Sequence, residues 1–148
     1  MMLRALTALA LLTTVTAALP PDIQAQTSSD GPVYVAYYWR AKPGQVDAYN
    51  TYIRTTAEKI DENARQAGVF DEVVTVTPTQ MGTSTAVTDW THLRIFKLKS
   101  RAAAEALGKG LDEATIRVVP DEAQRKANSE RSAGLRDFVR QEIWTALR

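Results

Sequence analysis

The order in which strand-like and helix-like segments follow one another constrains the fold of this chain most strongly. Residues 33–40 (VYVAYYWR) are rich in β-branched and aromatic residues and too short for a typical helix, so we expect a strand. Residues 45–67 repeat apolar side chains at spacings of three, four and seven, which predicts a helix that ends at Gly68. Two further strands are predicted at 73–77 and 87–98, close enough in sequence to pair as an antiparallel hairpin.

The next segments indicate helices. Ser100 is well placed to cap a helix that begins at residue 101, and we expect Gly108 and Gly110 to interrupt that helix. Pro120, followed by two acidic residues, is typical of a helix start. We expect this helix to end at Gly134.

The last segment, residues 135–147, fits two periodicities. Its apolar side chains would line one face of a helix, yet Val139 and Ile143 would also share one side of a strand. We favour a strand, because Gly134 separates the segment from the preceding helix. The resulting order is the ferredoxin-like βαββαβ pattern, an α+β fold with one antiparallel sheet and helices on one face.

The first 25 residues have the pattern of a secretory signal peptide. Arg4 precedes an uncharged stretch from Ala5 to Leu19, and Ala25 offers the small residue after which we expect cleavage. A membrane anchor is the alternative, but a span needs roughly 20 apolar residues and this stretch is shorter. Residues 26–32 suit a flexible leader, so we expect one exported domain over 33–148, in the periplasm or the external medium.

The composition limits the kinds of site and partner that we expect. Without cysteine the chain forms no disulfide and is not lipid-anchored, and a single histidine does not make the usual zinc cluster. A net charge of +1 gives no electrostatic reason to expect a nucleic acid or an anionic membrane surface as a partner. We therefore predict no metal site, no tightly bound cofactor, no nucleic-acid partner and no membrane association after signal cleavage.

Several stretches resemble a known superfamily. Residues 33–40 and 42–49 (KPGQVDAY) resemble the opening strand, Pro-Gly turn and first helix of dimeric α+β-barrel proteins. Residues 90–96 (WTHLRIF) with 100–103 (SRAA), and 138–143 (FVRQEI), resemble their third strand, second helix and closing strand. In this superfamily two subunits face their sheets together and close a barrel. Its members include cofactor-independent monooxygenases of the antibiotic-biosynthesis type, EthD-like and NIPSNAP-like proteins, and haem-binding enzymes. The resemblance implies a homodimer.

Strand alternation sorts the side chains of the sheet by face. Those expected on the helix-covered face are Val33, Val35, Tyr37, Leu93, Ile95, Val139 and Ile143. Those expected on the opposite face are Tyr34, Tyr38, Arg40, Trp90, His92, Arg94, Phe96, Arg140, Glu142 and Trp144. Aromatic rings with convergent polar groups are typical of pockets for small organic molecules, so we predict a ligand site there. The alternative is that these residues pack against a partner sheet, with their charges paired across the dimer.

His92 and Tyr38 are the candidate catalytic residues. A histidine titrates near neutral pH, and His92 is the only one in the chain. Beside Trp90 and Arg94 in a closed cavity, His92 would orient or deprotonate a phenol-like substrate, as polar residues do in the monooxygenases of this superfamily. Two alternatives stay open, a packing role for His92 and haem ligation, which needs an open apolar pocket on one side of the ring.

The sequence therefore predicts an exported, homodimeric α+β-barrel protein that binds, or oxidises in a monooxygenase-like reaction, a small aromatic or apolar compound. A non-catalytic dimerisation or binding module is the alternative, and haem binding through His92 is a weaker one.

Overall fold

A four-stranded antiparallel sheet with helices on one face makes up residues 31–78 and 89–146, the part of the chain that the computed structural model describes. The elements in chain order are β1 (Val33–Ala41), α1 (Val46–Tyr52), a π-helical turn (Ile53–Ala57), α2 (Glu58–Gln66), β2 (Glu72–Val76), β3 (His92–Leu98), α3 (Arg101–Val118), α4 (Glu122–Leu135) and β4 (Arg136–Thr145). The strands lie in the order β2-β3-β1-β4. The ferredoxin-like α+β prediction is confirmed, and so is the strand expected in residues 135–147. The predicted signal peptide lies outside the described residues.

Two glycines end elements as the sequence predicts. Gly44, at φ +73°, occupies the third position of a turn in which the Gln45 amide donates to the Lys42 carbonyl at 2.9 Å. Gly68, at φ +75°, follows α2, and its amide donates to the Arg65 carbonyl at 2.9 Å. Both positions need the left-handed conformation that glycine adopts without strain.

The predicted interruption of α3 is wrong, because the helix runs unbroken from Arg101 to Val118. Ser100 caps it as predicted, its side chain accepting from the Ala103 amide at 3.2 Å. A Cβ atom at Gly110 would lie 2.4 Å from Val69 Cγ1, so glycine lets α3 approach the chain after α2 closely. Gly134 also lies inside α4, which runs to Leu135 instead of ending before Gly134 as expected.

The main core lies between the sheet and helices α2 and α3. Its buried members are Val33, Val35, Ala64, Phe70, Phe96, Leu98, Ala104, Leu107 and Ala114. A second cluster packs around the π-helical turn, at the other end of β1. Its members are Ala41, Tyr49, Tyr52, Ile53, Ala57 and Leu135.

The prediction of which β3 side chains face the helices is wrong, because the two faces of the strand are exchanged. Val35 lies opposite Phe96, and Tyr37 lies opposite Arg94. Residues directly opposite one another share a face, so Phe96 and Arg94 face the helices. The helix-covered side chains of β3 are His92, Arg94, Phe96 and Leu98, and those on the other face are Leu93, Ile95 and Lys97.

The face prediction for β4 is mostly confirmed. Tyr34 lies opposite Trp144 and Tyr38 opposite Arg140, which places these four side chains on the face without helices, hereafter the uncovered face. Glu142 shares that face, and Ile143 lies opposite Val35 on the helix side. A register shift between Tyr38 and Trp39 turns Val139 over, so it packs on the uncovered face, contrary to the prediction.

Candidate functional site

The structure divides the predicted site residues between two faces of the sheet. Those on the uncovered face are Tyr34, Tyr38, Arg40, Trp90, Arg140, Glu142 and Trp144. Those on the helix side are His92, Arg94 and Phe96. The two predicted catalytic residues, Tyr38 and His92, therefore lie on opposite sides of the sheet and do not form one site.

A closed polar network organises the uncovered face around Glu142. Its carboxylate accepts hydrogen bonds from the Tyr38 hydroxyl at 2.9 Å, Arg140 Nε at 2.8 Å and Trp144 Nε1 at 3.0 Å. The Arg140 guanidinium lies 3.8 Å from the centre of the Tyr38 ring and also donates to the Asp89 carboxylate. Arg140, and next Tyr38, hold the pKa of Glu142 below its usual range by hydrogen bonding. Burial, reinforced by Glu142, raises the pKa of Tyr38, so its phenol stays a donor.

Beside this network the uncovered face is apolar and exposed. Val74 is 45% exposed and Trp144 is 37% exposed. These side chains border a shallow depression of about 500 Å³, which Tyr34, Ile95 and the charged pair Glu72 and Lys97 also line. Contiguous exposed apolar surface on a small protein marks an interaction surface.

His92 is fully buried on the helix side. Its Nε2 lies 3.1 Å from Asn50 Oδ1, and its Nδ1 lies 2.8 Å from the Thr91 hydroxyl oxygen, so both ring nitrogens have a hydrogen-bond partner. Burial, and next the charge of Arg136, lowers the pKa of His92, which keeps the imidazole neutral. Haem ligation does not fit this setting, because both ring nitrogens are hydrogen-bonded and no face of the ring borders open space.

Arg94 belongs to an ion pair inside the fold. Its guanidinium donates to the carboxylate of Asp61 on α2, and it lies 5.2 Å from the centre of the Phe96 ring. Burial raises the pKa of Asp61, and the charge of Arg94 opposes that shift. The pair joins α2 to β3, and Phe96 fills the core beneath it.

A cleft opens between the β1–β4 edge of the sheet, the π-helical turn, α3 and α4. Its volume is about 580 Å³. Its aromatic side chains are Trp39, Tyr52 and Phe138, and Trp39 and Phe138 meet edge to face at 5.2 Å. The other lining residues are Thr56, Ile60, Asp112, Thr115, Val119, Arg125, Asn128, Ser129, Ser132, Ala133, Arg136 and Asp137.

The π-helical turn shapes one wall of this cleft. The hydroxyls of Thr51 and Thr55 donate to the carbonyls four residues earlier, at 2.9 and 2.8 Å. Such bonds bend a helix, and π-helical turns occur frequently at functional sites. Tyr52 and Thr56 border the cleft at this irregular point.

Arg136, the first residue of β4, connects the cleft to the buried histidine. Its guanidinium stacks on Trp39 at 3.5 Å from the ring centre, and its Nη1 donates to the Tyr49 hydroxyl at 2.6 Å. Its Nε donates to Ser132 Oγ at 3.1 Å. The Tyr49 ring in turn packs edge to face on His92 at 4.5 Å. A continuous row of side chains thus runs from His92 to the cleft wall.

Sequence reasoning missed every residue of the cleft wall. Trp39 gave a signal in the sequence, because it continues the helix-facing series Val33, Val35 and Tyr37 as a large aromatic residue near the end of β1. Arg136 and Phe138 fell in the segment whose conformation the sequence left open, and the contribution of α4 depends on tertiary packing.

Neither a metal-binding cluster nor a helix able to span a membrane occurs in residues 31–78 and 89–146. Over those ranges, no group of three or more His, Asp or Glu side chains is placed to hold a metal ion. No helix described there is long and apolar enough to cross a membrane.

Comparison with known proteins supports the fold. No protein-family model matches the sequence, and no curated protein matches it. HapK from Hahella chejuensis superposes with a TM-score of 0.50 at 11% identity, covering 78% of this chain and 92% of HapK. The chain shares the fold of HapK. At that identity the likeness concerns the fold alone.

Two EthD proteins are more distant. An EthD-like protein from Ralstonia eutropha JMP134 gives a TM-score of 0.48 at 12% identity, covering 78% of this chain and 92% of the other. An ethyl tert-butyl ether D (EthD) family protein from Bacillus halodurans C-125 gives 0.42 at 9% identity, covering 78% and 98%.

Proposed function

We propose that this chain is a small-molecule-binding protein that holds an aromatic compound in the cleft between sheet and helices. The observation that carries the proposal is the wall of Trp39, Tyr52 and Phe138 around about 580 Å³. Ligand pockets typically have volumes of about 300–1,000 Å³ and combine such walls with a few polar groups. Phe138 is 54% exposed, and a bound ring would cover it.

Binding rather than oxidation is proposed because both predicted catalytic residues lie outside the cleft. The Tyr38 hydroxyl donates to Glu142 on the opposite face of the sheet. His92 is separated from the cleft by Tyr49 and Arg136. Neither side chain reaches a compound that sits against Trp39.

The uncovered face has a different role in this proposal. We propose that two copies pack these faces together, with Val74 and Trp144 in the interface, in a protein that is exported through its 25-residue signal peptide. The charges of Arg140, Glu142 and Asp89 are already paired within one chain, so burial in a dimer leaves no charge of this network unpaired. The interface and the cleft lie on opposite sides of the sheet, so a dimer leaves the cleft open.

The proposal is tested by isothermal titration calorimetry of the mature chain, residues 26–148, with 1-naphthol. We expect saturable binding that weakens about fivefold or more in Phe138→Ser, because an aromatic contact is worth about 1 kcal/mol beyond its buried area. Ile116→Ser is the matched control, since Ile116 is 53% exposed and lies outside the cleft lining. Absence of saturable binding, or equal loss in both variants, would overturn the proposal.

A further inference from the structure

The cleft contains an arginine with unused donors. Arg136 uses Nε for Ser132 and one N–H of Nη1 for Tyr49. A guanidinium has five N–H donors, so the second N–H of Nη1 and both of Nη2 have no acceptor among the described residues. No carboxylate described in the structure lies within 4.0 Å of Arg136, so its charge is not paired there.

The other charges of the cleft leave this arginine available to an anion. Arg125 uses its Nη1 for the carbonyls of Val119 and Pro120, at 2.9 and 2.6 Å. Asp137 lies 3.7 Å from the ammonium group of Lys42 outside the cleft lining, which offsets its charge. Asp112 is the remaining acidic side chain of the lining.

The geometry of Arg136 suits a carboxylate attached to an aromatic ring. Its guanidinium lies over Trp39 and is fixed at Nε and Nη1, so its remaining N–H groups are oriented before a ligand arrives. Hydrogen bonds from a guanidinium to a carboxylate are charge-assisted and stronger than those between neutral groups. Tyr52 and Phe138 provide the aromatic surface for the ring of the same molecule.

We infer that the cleft selects aromatic compounds that carry a carboxylate, with Arg136 holding the carboxylate. This inference rests on the proposed function, because it assigns a chemical class to the compound bound in the cleft. Arg136 is then a specificity-determining residue.

The test compares 1-naphthoate with uncharged 1-naphthol by calorimetry at pH 7. We expect naphthoate to bind about 10- to 100-fold tighter, the factor expected for hydrogen bonds to a charged group. Arg136→Gln should bring the ratio of the two affinities to about one, and Arg136→Lys should keep part of it. Arg131→Gln, an exposed arginine on α4 outside the cleft lining, should keep the full ratio.

The outcomes separate this inference from the proposed function. A wild-type ratio of one or less, with naphthol still binding saturably, would overturn the carboxylate preference and leave the proposed function standing. A ratio that survives in Arg136→Gln would overturn the role of Arg136. If neither compound binds saturably, the proposed function itself fails. The wild-type ratio decides the preference without any variant, and thermal unfolding shows whether each variant is folded.

Discussion

Replacing Asp61 by alanine removes the carboxylate that neutralises Arg94 between α2 and β3. The two side chains are 9% and 11% exposed, so the guanidinium would stay in a nearly dry environment without its counter-charge. Breaking a buried ion pair from one side typically costs about 3–5 kcal/mol. Arg94 Nε has no hydrogen-bond partner among residues 31–78 and 89–146, so it offers no existing bond that would hold the guanidinium in place of Asp61. Small domains have only about 5–15 kcal/mol of stability, so the variant should be close to unfolding.

Urea unfolding monitored by circular dichroism measures this loss of unfolding free energy. Urea is uncharged, so it does not screen the ion pair as a salt would. Glu62→Ala is the control, because the Glu62–Arg65 ion pair is exposed to solvent. Removing it should leave the urea midpoint unchanged. The double replacement Asp61→Leu with Arg94→Met should recover most of the stability, since an apolar pair needs no compensating charge. An Asp61→Ala midpoint close to that of the wild type would refute the structural role assigned to Arg94.

Three further predictions concern the core, a helix cap and the uncovered face. Burial lowers the pKa of His92, so below about pH 6.5 the unfolded chain takes up a proton before the folded one. Stability should therefore fall by at most about 1.4 kcal/mol per pH unit from pH 6.5 down to the folded pKa, and urea titrations of His92→Gln should show a smaller slope. Ser100→Ala should lower the free energy of unfolding by about 1 kcal/mol, and an unchanged urea midpoint would argue against the cap. Val74→Arg should give a monomer in sedimentation experiments whereas Ile116→Arg stays dimeric, and a monomeric wild type would contradict the proposed interface.

The element order was predictable because local signals agree with the fold. Gly44 and Gly68 occupy left-handed positions that few other residues adopt, so they end β1 and α2 where the sequence places them. The predicted break of α3 at Gly110 is wrong, because this glycine allows α3 to pack closely against Val69. That contact joins segments distant in sequence, and local propensity carries no information about it.

The site was less predictable because both faces of β3 carry apolar side chains. Leu93 and Ile95 alternate with Phe96 and Leu98, so hydrophobicity does not decide which set faces the helices. Leu93 and Ile95 suit a helix-covered core, so the sequence predicts His92 and Arg94 on the other face. The structure places both on the helix side, because Asn50 and Asp61 supply hydrogen-bond partners there.

The three tryptophans can report whether ligands bind in the cleft. Trp39 lines the cleft, whereas Trp90 and Trp144 pack around Tyr38 on the uncovered face. Their indole N–H signals can be assigned with single Trp→Phe variants and followed by NMR during a titration with 1-naphthol. Binding in the cleft should give a saturable shift of the Trp39 signal and leave the other two signals unchanged. Shifts of Trp90 and Trp144 with a stationary Trp39 would contradict it and move the ligand site to the uncovered face.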